Sequence, residues 1–374
     1  MGKKIATITY HASYNYGSNL QAFALQEKVK MMIPNCQYSI INLRTPIQKN
    51  MYKNIFELPG LKNKVKRIMF LYRKKEFMKK QEYFEDFIIN KLNVTDEYSS
   101  LEELNKAKFD YDYYISGSDQ VWNLRAYDFD WANYLEFVKK GKRISYAASI
   151  GPINYKFSDE ERKRIKQDIE KYSNISVREK STADKIKEIT GLDSLINIDP
   201  TLLLTKDEWN TLIPTDDEKT KLGKYILFYD LKNKEEDWQM VKYISENLKL
   251  PVIITKLPAK YLYKYNFKMK LDVGPVQFIN LIKNADLVIS SSFHGTVFSI
   301  LFEKKFLSIN GMEDLRIKDL LELAKLENQA IDVHNYREKL NNINTIDFSP
   351  YRENIKKEIR KAELYLKDAL EIGE

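Results

Sequence analysis

Histidine occurs only three times in the 374 residues, as His11, His294 and His334, so imidazole chemistry has few places to reside. His294 stands in the run Ser290-Ser291-Ser292-Phe293-His294-Gly295-Thr296, after the apolar stretch 287–289 and before the apolar helical pattern of 296–303. Parallel α/β proteins bind ligands at such strand-to-helix passages, where strand carboxyl ends meet first-turn helix amides. An imidazole there suits general acid–base work near neutral pH. A lone histidine is as readily a satisfied structural residue. No HExxH or comparable spacing supplies the second histidine of a zinc site.

Four further polar clusters follow apolar runs. Arg178 in Ser176-Val177-Arg178-Glu179 could hold a carboxylate or phosphate through its planar fork, or pair with Glu179 or another acid. In Ser116-Gly117-Ser118-Asp119-Gln120-Val121-Trp122-Asn123, the glycine permits a sharp turn and Ser118 and Asp119 can cap or bind hydroxyls. Trp122 can face a sugar ring or lie buried over the turn. Asn15-Tyr16-Gly17-Ser18-Asn19 opens a helix and reads either as an anion site or as an ordinary cap. Asp199-Pro200-Thr201 reads as structural. With no GxSxG elbow, Cys–His signature, Walker A loop or GxGxxG, nucleophilic triads, nucleotide hydrolysis and NAD-linked redox chemistry lack support.

The elements that must position these clusters alternate. Ile5–Tyr10 reads as a strand, the pattern from Leu20 to Met32 as a helix, and Tyr38–Leu43 as a second strand; strand ends follow at 113–116, 143–148 and 174–177. A second series begins at Tyr225–Tyr229 and continues with a helix at 235–247 and strands at 252–255, 287–290 and 306–309. This alternation predicts an α/β protein of two Rossmann-like domains with parallel sheets. The polar segment 205–222 reads as the linker. The expected division is 1–205, including a basic helical segment at 61–90, then 206–350, then a terminal helix at 351–374 that packs back across the junction.

A hydrophobic content of 43% with 13% aromatics excludes a disordered chain, and no apolar run is long enough for a membrane span or signal peptide. The single cysteine, Cys36, excludes an internal disulfide framework, so a cytoplasmic setting is expected. The net charge of +8 equals the excess of segment 62–80 alone, where Lys62, Lys64, Lys66, Arg67, Arg73, Lys74, Lys75, Lys79 and Lys80 face one acid, Glu76. Apolar residues interleave with these cations, which suits either a solvated helix or peripheral contact with an anionic membrane. Nucleic acid is not expected as a partner, since no recognised binding module is present.

Taken in order, the blocks YHASYNYGSNLQAFAL, ISGSDQVWN, SYAASIG, SVREKS, IDPTLLL and SSFHGTVFSILFEKKF resemble the polysaccharide pyruvyl transferase family. They run from residue 10 to 306, and RIKDLLE at Arg316 continues the resemblance. It implies a GT-B-like fold with the active site in the interdomain cleft. It also implies phosphoenolpyruvate as donor substrate with no separate cofactor or metal, and a saccharide acceptor, lipid-linked or otherwise, ketalised in bacterial cell-surface polysaccharide synthesis such as exopolysaccharide or capsule. His294 and Arg178 match the family's donor-handling residues. Arg316, with Lys305 as second choice, completes the clamp, and Ser292, Gly295 and Thr296 line it. Asn15, Tyr16, Gly17, Ser18, Asn19, Gln21, Ser118, Gln120, Trp122 and Asn123 fall on the acceptor side, with Asp119 as a candidate base. Ser292 stands where several members have arginine. A sugar-nucleotide-dependent GT-B glycosyltransferase and a non-catalytic glycan-binding or scaffold protein are the rival readings. The oligomeric state and the sugar are not legible.

Overall fold

The computed structural model describes residues 2–151, 156–214, 222–256, 261, 264–341, 343 and 346–373. The chain divides into two compact units. Unit 1 comprises Met1–Leu58, Glu85–Leu204 and Glu358–Glu374, and unit 2 comprises Pro59–Phe84 and Thr205–Lys357.

Unit 1 is built on β1 (Lys4–Ile8), β2 (Gln37–Leu43), β3 (Val94–Tyr98), β4 (Tyr113–Ser116), β5 (Lys142–Ser145) and β6 (Tyr172–Asn174). The order β3-β2-β1-β4-β5-β6 is wholly parallel. Ile5, Ile40, Ile115 and Ile144 are fully buried, because helices cover both faces of such a sheet and leave its central strands no polar side. The order reverses between β1 and β4, which opens a crevice at their carboxyl ends. A separate short pair, β7 (Ser176–Val177) and β8 (Leu195–Ile196), carries Arg178 and leads toward Asp199.

Unit 2 repeats the plan with β9 (Ile226–Tyr229), β10 (Val252–Ile254), β11 (Lys268–Met269), β12 (Leu287–Ser290), β13 (Phe306–Ile309) and β14 (Ala330–Ile331). Its order, β11-β10-β9-β12-β13-β14, is again parallel. Two six-stranded parallel sheets are therefore the architecture, as the alternation in the sequence predicts.

The partition of the chain differs from the expected one in one place. The basic segment does not stay with the amino-terminal residues: 59–84 belong to unit 2. Arg73 Nη2 donates to the Met269 carbonyl at 2.8 Å, the Leu271 amide donates to Glu76 Oε2 at 3.2 Å, and Gly274 packs so closely on Tyr83 that a Cβ there would lie 2.5 Å from the tyrosine Cβ. Instead of one helix at 61–90 there are two, Leu61–Met69 and Lys74–Lys91, joined by a 3₁₀ turn at Leu71–Arg73. The break falls at Phe70, whose ring is buried while its neighbours on both sides are exposed. Of the expected linker, Lys206–Leu212 form a helix with a Thr205–Glu208 capping box, and 215–221 lie outside the described residues. The last helix, Ser349–Ala369, passes into unit 1 at Glu358. There Tyr365 Oη donates to the Ser145 carbonyl at 2.6 Å and Glu363 pairs with Lys28.

Candidate functional site

At the carboxyl edge of the unit 2 sheet, β12 ends at Ser290 and a nine-residue helix, Phe293–Leu301, begins three residues later with Ser292 as its N-cap. The serines tie the loop down. Ser290 Oγ donates to the Tyr229 carbonyl at 2.9 Å, and Ser291 Oγ donates to Asp230 Oδ1 at 2.7 Å. Gly295 is required by packing: a Cβ at this position would lie 2.2 Å from Ser290 Oγ and 3.3 Å from the Tyr229 ring. The first turn of the helix is therefore pressed onto β9 and β12, which fixes His294 at the sheet's edge, next to amides that a helix start turns toward anions.

Cations stand on both sides of His294. On the β13 side, the Arg316 guanidinium lies 5.7 Å from the centroid of the Phe293 ring, which itself meets the imidazole at 5.1 Å. Asp314 holds Arg316 in a two-point pair at 3.1 and 2.8 Å and keeps it 28% exposed. On the β10 side, Lys256 stands two residues past the strand end at Ile254, with its Nζ 5.9 Å from the Tyr229 ring centroid. Tyr229, Asp230, Asn233, Trp238, Thr255 and Lys256 line a small recess that opens to solvent. The Thr255 hydroxyl in this lining is buried and has no hydrogen-bond partner among the described residues. Lys80 shares the face of its helix with Glu76 and Tyr83, which together with Arg73 of the preceding 3₁₀ turn dock on 269–274. Burial pushes the Lys80 ammonium down to about 8. Burial, and then the charge of Lys80, also lower Lys256. Nothing in the sequence separates these two lysines from the many solvated ones.

In unit 1 the expected residues converge around Asp119, whose backbone adopts φ 68°. Ser18 Oγ donates to Asp119 Oδ2 at 2.7 Å, and the Gln120 amide donates to Oδ1 at 2.9 Å. Arg178 Nη1 lies 3.9 Å from the same carboxylate. Arg178 is 4% exposed and pairs with Asp199 at 3.0 Å, itself fully buried, and with Glu179 at 3.3 Å. Burial alone would lower its pKa, yet Glu179, Asp199 and Asp119 together raise it. Three carboxylates around one guanidinium leave no positive excess for a dianionic ligand, so Arg178 is the centre of a buried ion-pair cluster and not an open donor clamp. Beside Asp119 lies Asp128, which the sequence reading passed over. Burial, and after it the charge of Asp119, raise its carboxyl pKa.

Several other expected contacts are turned inward. Trp122 is fully buried; it stacks on Tyr134 at 5.5 Å and 16° and donates from Nε1 to Ser116 Oγ, so its indole offers no face to a sugar. Asn19 Nδ2 donates to the His11 and Ser13 carbonyls, and Gln21 Nε2 donates to Thr9 Oγ1 and the Ser18 carbonyl; both hold the loop in place. The Ser118 hydroxyl donates to the Ala147 carbonyl, Tyr16 is buried, and Asn123 bonds Gln120. Asn15 is an exposed cap accepting from the Gly17 amide at 3.0 Å. In unit 2, Thr296 donates to the Ser292 carbonyl inside the core. Lys305 precedes β13 and lines a hollow with Lys224, Asp286 and Leu287. Those residues lie at the amino ends of parallel strands, the opposite edge from His294, so Lys305 cannot join the clamp. Among the described residues no group of three or more carboxylate, imidazole or thiol side chains is arranged to hold a metal ion.

The polysaccharide pyruvyl transferase family model matches residues 15–311. The chain belongs to that family. No curated protein matches the sequence closely enough to count as a relative. Among solved structures, a Listeria monocytogenes protein assigned as a UDP-N-acetylglucosamine 2-epimerase aligns with TM-score 0.60 at 10% identity, over 100% of this chain and 98% of the other. The Methanocaldococcus jannaschii UDP-GlcNAc 2-epimerase aligns at 0.55 and 15% over 93% of both chains. The Neisseria meningitidis UDP-GlcNAc 2-epimerase, solved with UDP-GlcNAc, aligns at 0.52 and 11% over 96% of this chain and 99% of the other. At such identities the likeness is one of fold. The pyruvyl transferase family chain carries His294 in unit 2 and the acidic cluster around Arg178 in unit 1. Among the described residues no helix is long and apolar enough to cross a membrane.

Proposed function

We propose that this transferase moves the pyruvyl group of phosphoenolpyruvate onto a saccharide and forms a cyclic ketal, as a cytoplasmic step of cell-surface polysaccharide synthesis. The observation that supports the reading is the sheet order, in which Lys256 comes after β10 and Arg316 opens the helix after β13, on either side of the β12 passage that carries His294. Phosphoenolpyruvate is anionic at both ends, and each end needs cations or helix amides to leave water. A donor lying along this edge would set one end against the lysines and the other against Arg316, with its enol carbon near the imidazole. Arg178 is replaced in this role by Lys256.

The chemistry requires one proton at the methylene carbon, which becomes a methyl group and leaves the adjacent carbon electrophilic. One sugar hydroxyl adds there. A second hydroxyl then takes the place of phosphate, and the protons of the two hydroxyls balance the new methyl C–H bond and the departing phosphate. His294 supplies the acid. On the acceptor side Asp128 is the better base. Burial and the charge of Asp119 raise its pKa, which lets it take a proton more readily.

Donor binding tests this directly. At a hundred times its Kd, a ligand stabilises the folded state by about 2.7 kcal/mol, so phosphoenolpyruvate should raise the Tm while UDP-GlcNAc leaves it unchanged. Lys256→Gln should reduce the shift at equal donor concentration. The opposite ligand preference would favour a sugar-nucleotide enzyme.

A further inference from the structure

The helix Leu61–Met69 carries its apolar residues at positions 61, 65, 68 and 69, spacings that place all four on one face. Such a face is normally turned to a core. Here it is open: Leu61 is 82%, Val65 61%, Ile68 69% and Met69 46% exposed. The 3₁₀ turn that follows adds exposed Leu71 and Tyr72. A contiguous apolar surface of this kind on a folded protein marks a contact site.

The charges around the stripe indicate what covers it. Lys64, Lys66 and Lys75 are exposed and Arg67 is half-buried, and none of the four pairs with a carboxylate among the described residues. Arg73 and Glu76, in contrast, are bound into the unit 2 fold, which anchors the segment without using the stripe. A second copy of the chain laid symmetrically on this face would bring the same unneutralised cations together. A nucleic acid would find the cations but would leave the apolar centre uncovered. An anionic lipid surface satisfies both features, with the side chains of 61, 65, 68 and 72 at the acyl boundary and the lysines among the headgroups.

We infer that residues 61–75 form a peripheral membrane-docking element that lays its Leu61–Val65–Ile68 stripe on an anionic bilayer. This does not depend on the pyruvyl-transfer reading, and its test contains no donor. The full-length protein should sediment with vesicles of equal phosphatidylcholine and phosphatidylglycerol, stay in solution with phosphatidylcholine alone, and be released by salt. Each cation near an anionic surface is worth roughly five-fold in partitioning. Lys66→Glu with Lys75→Glu should therefore weaken binding on the order of twenty-five-fold or more, and Val65→Ser with Ile68→Ser should abolish it, with far-UV spectra unchanged. Equal partitioning of both double variants and the native chain would overturn the proposal. So would a native chain that ignores the anionic vesicles but sediments as a dimer, with Val65→Ser/Ile68→Ser converting it to a monomer.

Discussion

Replacing His294 by asparagine should lower kcat by about 10²–10⁴-fold, the usual worth of a positioned acid or base, and leave the Tm nearly unchanged. The site explains both halves. The fold around His294 is held by other groups: the serine bonds to Tyr229 and Asp230, and Gly295 seated against Ser290. Asparagine keeps a polar side chain of similar reach in that setting but cannot deliver a proton to carbon at neutral pH. The Kd for phosphoenolpyruvate should move little, because the ion pairing is assigned to Lys256, Lys80 and Arg316. A variant with native kcat would remove the imidazole from the chemistry, and one that loses donor affinity with kcat intact would make it a binding residue.

Arg178→Met should act in the contrary way, on stability. Removing one partner from a buried ion pair costs about 3–5 kcal/mol, since the remaining charge keeps its desolvation without compensation. Here Asp199 is fully buried and Glu179 nearly so. Asp199 also fixes the following turn by accepting from the Thr201 amide and hydroxyl at 3.0 and 2.7 Å. Denaturant unfolding of the variant should show the loss, whereas phosphoenolpyruvate should still shift the Tm of the fraction that folds. A variant with native stability and weakened donor binding would restore Arg178 to the donor clamp.

The contrast between these two residues shows which features the sequence makes readable. Local pattern sufficed for β12 and β13, whose LVIS and FLSI are short, largely apolar runs between polar residues, and for the strand-to-helix passage that presents His294. Arg316 is reached only through the family resemblance, since local pattern gives no reading of the helix Leu315–Ala324 that carries it. Long-range pairing was not readable. Arg178 looks alike in sequence whether it meets a ligand or Asp199 and Asp119. Lys80 looks like a solvated lysine until Glu76 and Tyr83 of its helix, with Arg73 of the turn before it, dock on 269–274, nearly two hundred residues away. Trp122 beside a glycine turn gives no hint of the Tyr134 ring that buries it. Short edge strands such as β3, with its polar VTDEY, lack the apolar run that marks the central ones, and pairing with β2 alone defines them.

The central claim is most directly tested by following inorganic phosphate release from phosphoenolpyruvate with and without candidate acceptor saccharides, with mass spectrometry of the sugar product. The account predicts phosphate release that depends on the acceptor, matched by a pyruvyl mass increment on the sugar and lost in His294→Asn. Transfer of a glycosyl group from a sugar nucleotide, with phosphoenolpyruvate left intact in the presence of the same acceptors, would contradict it.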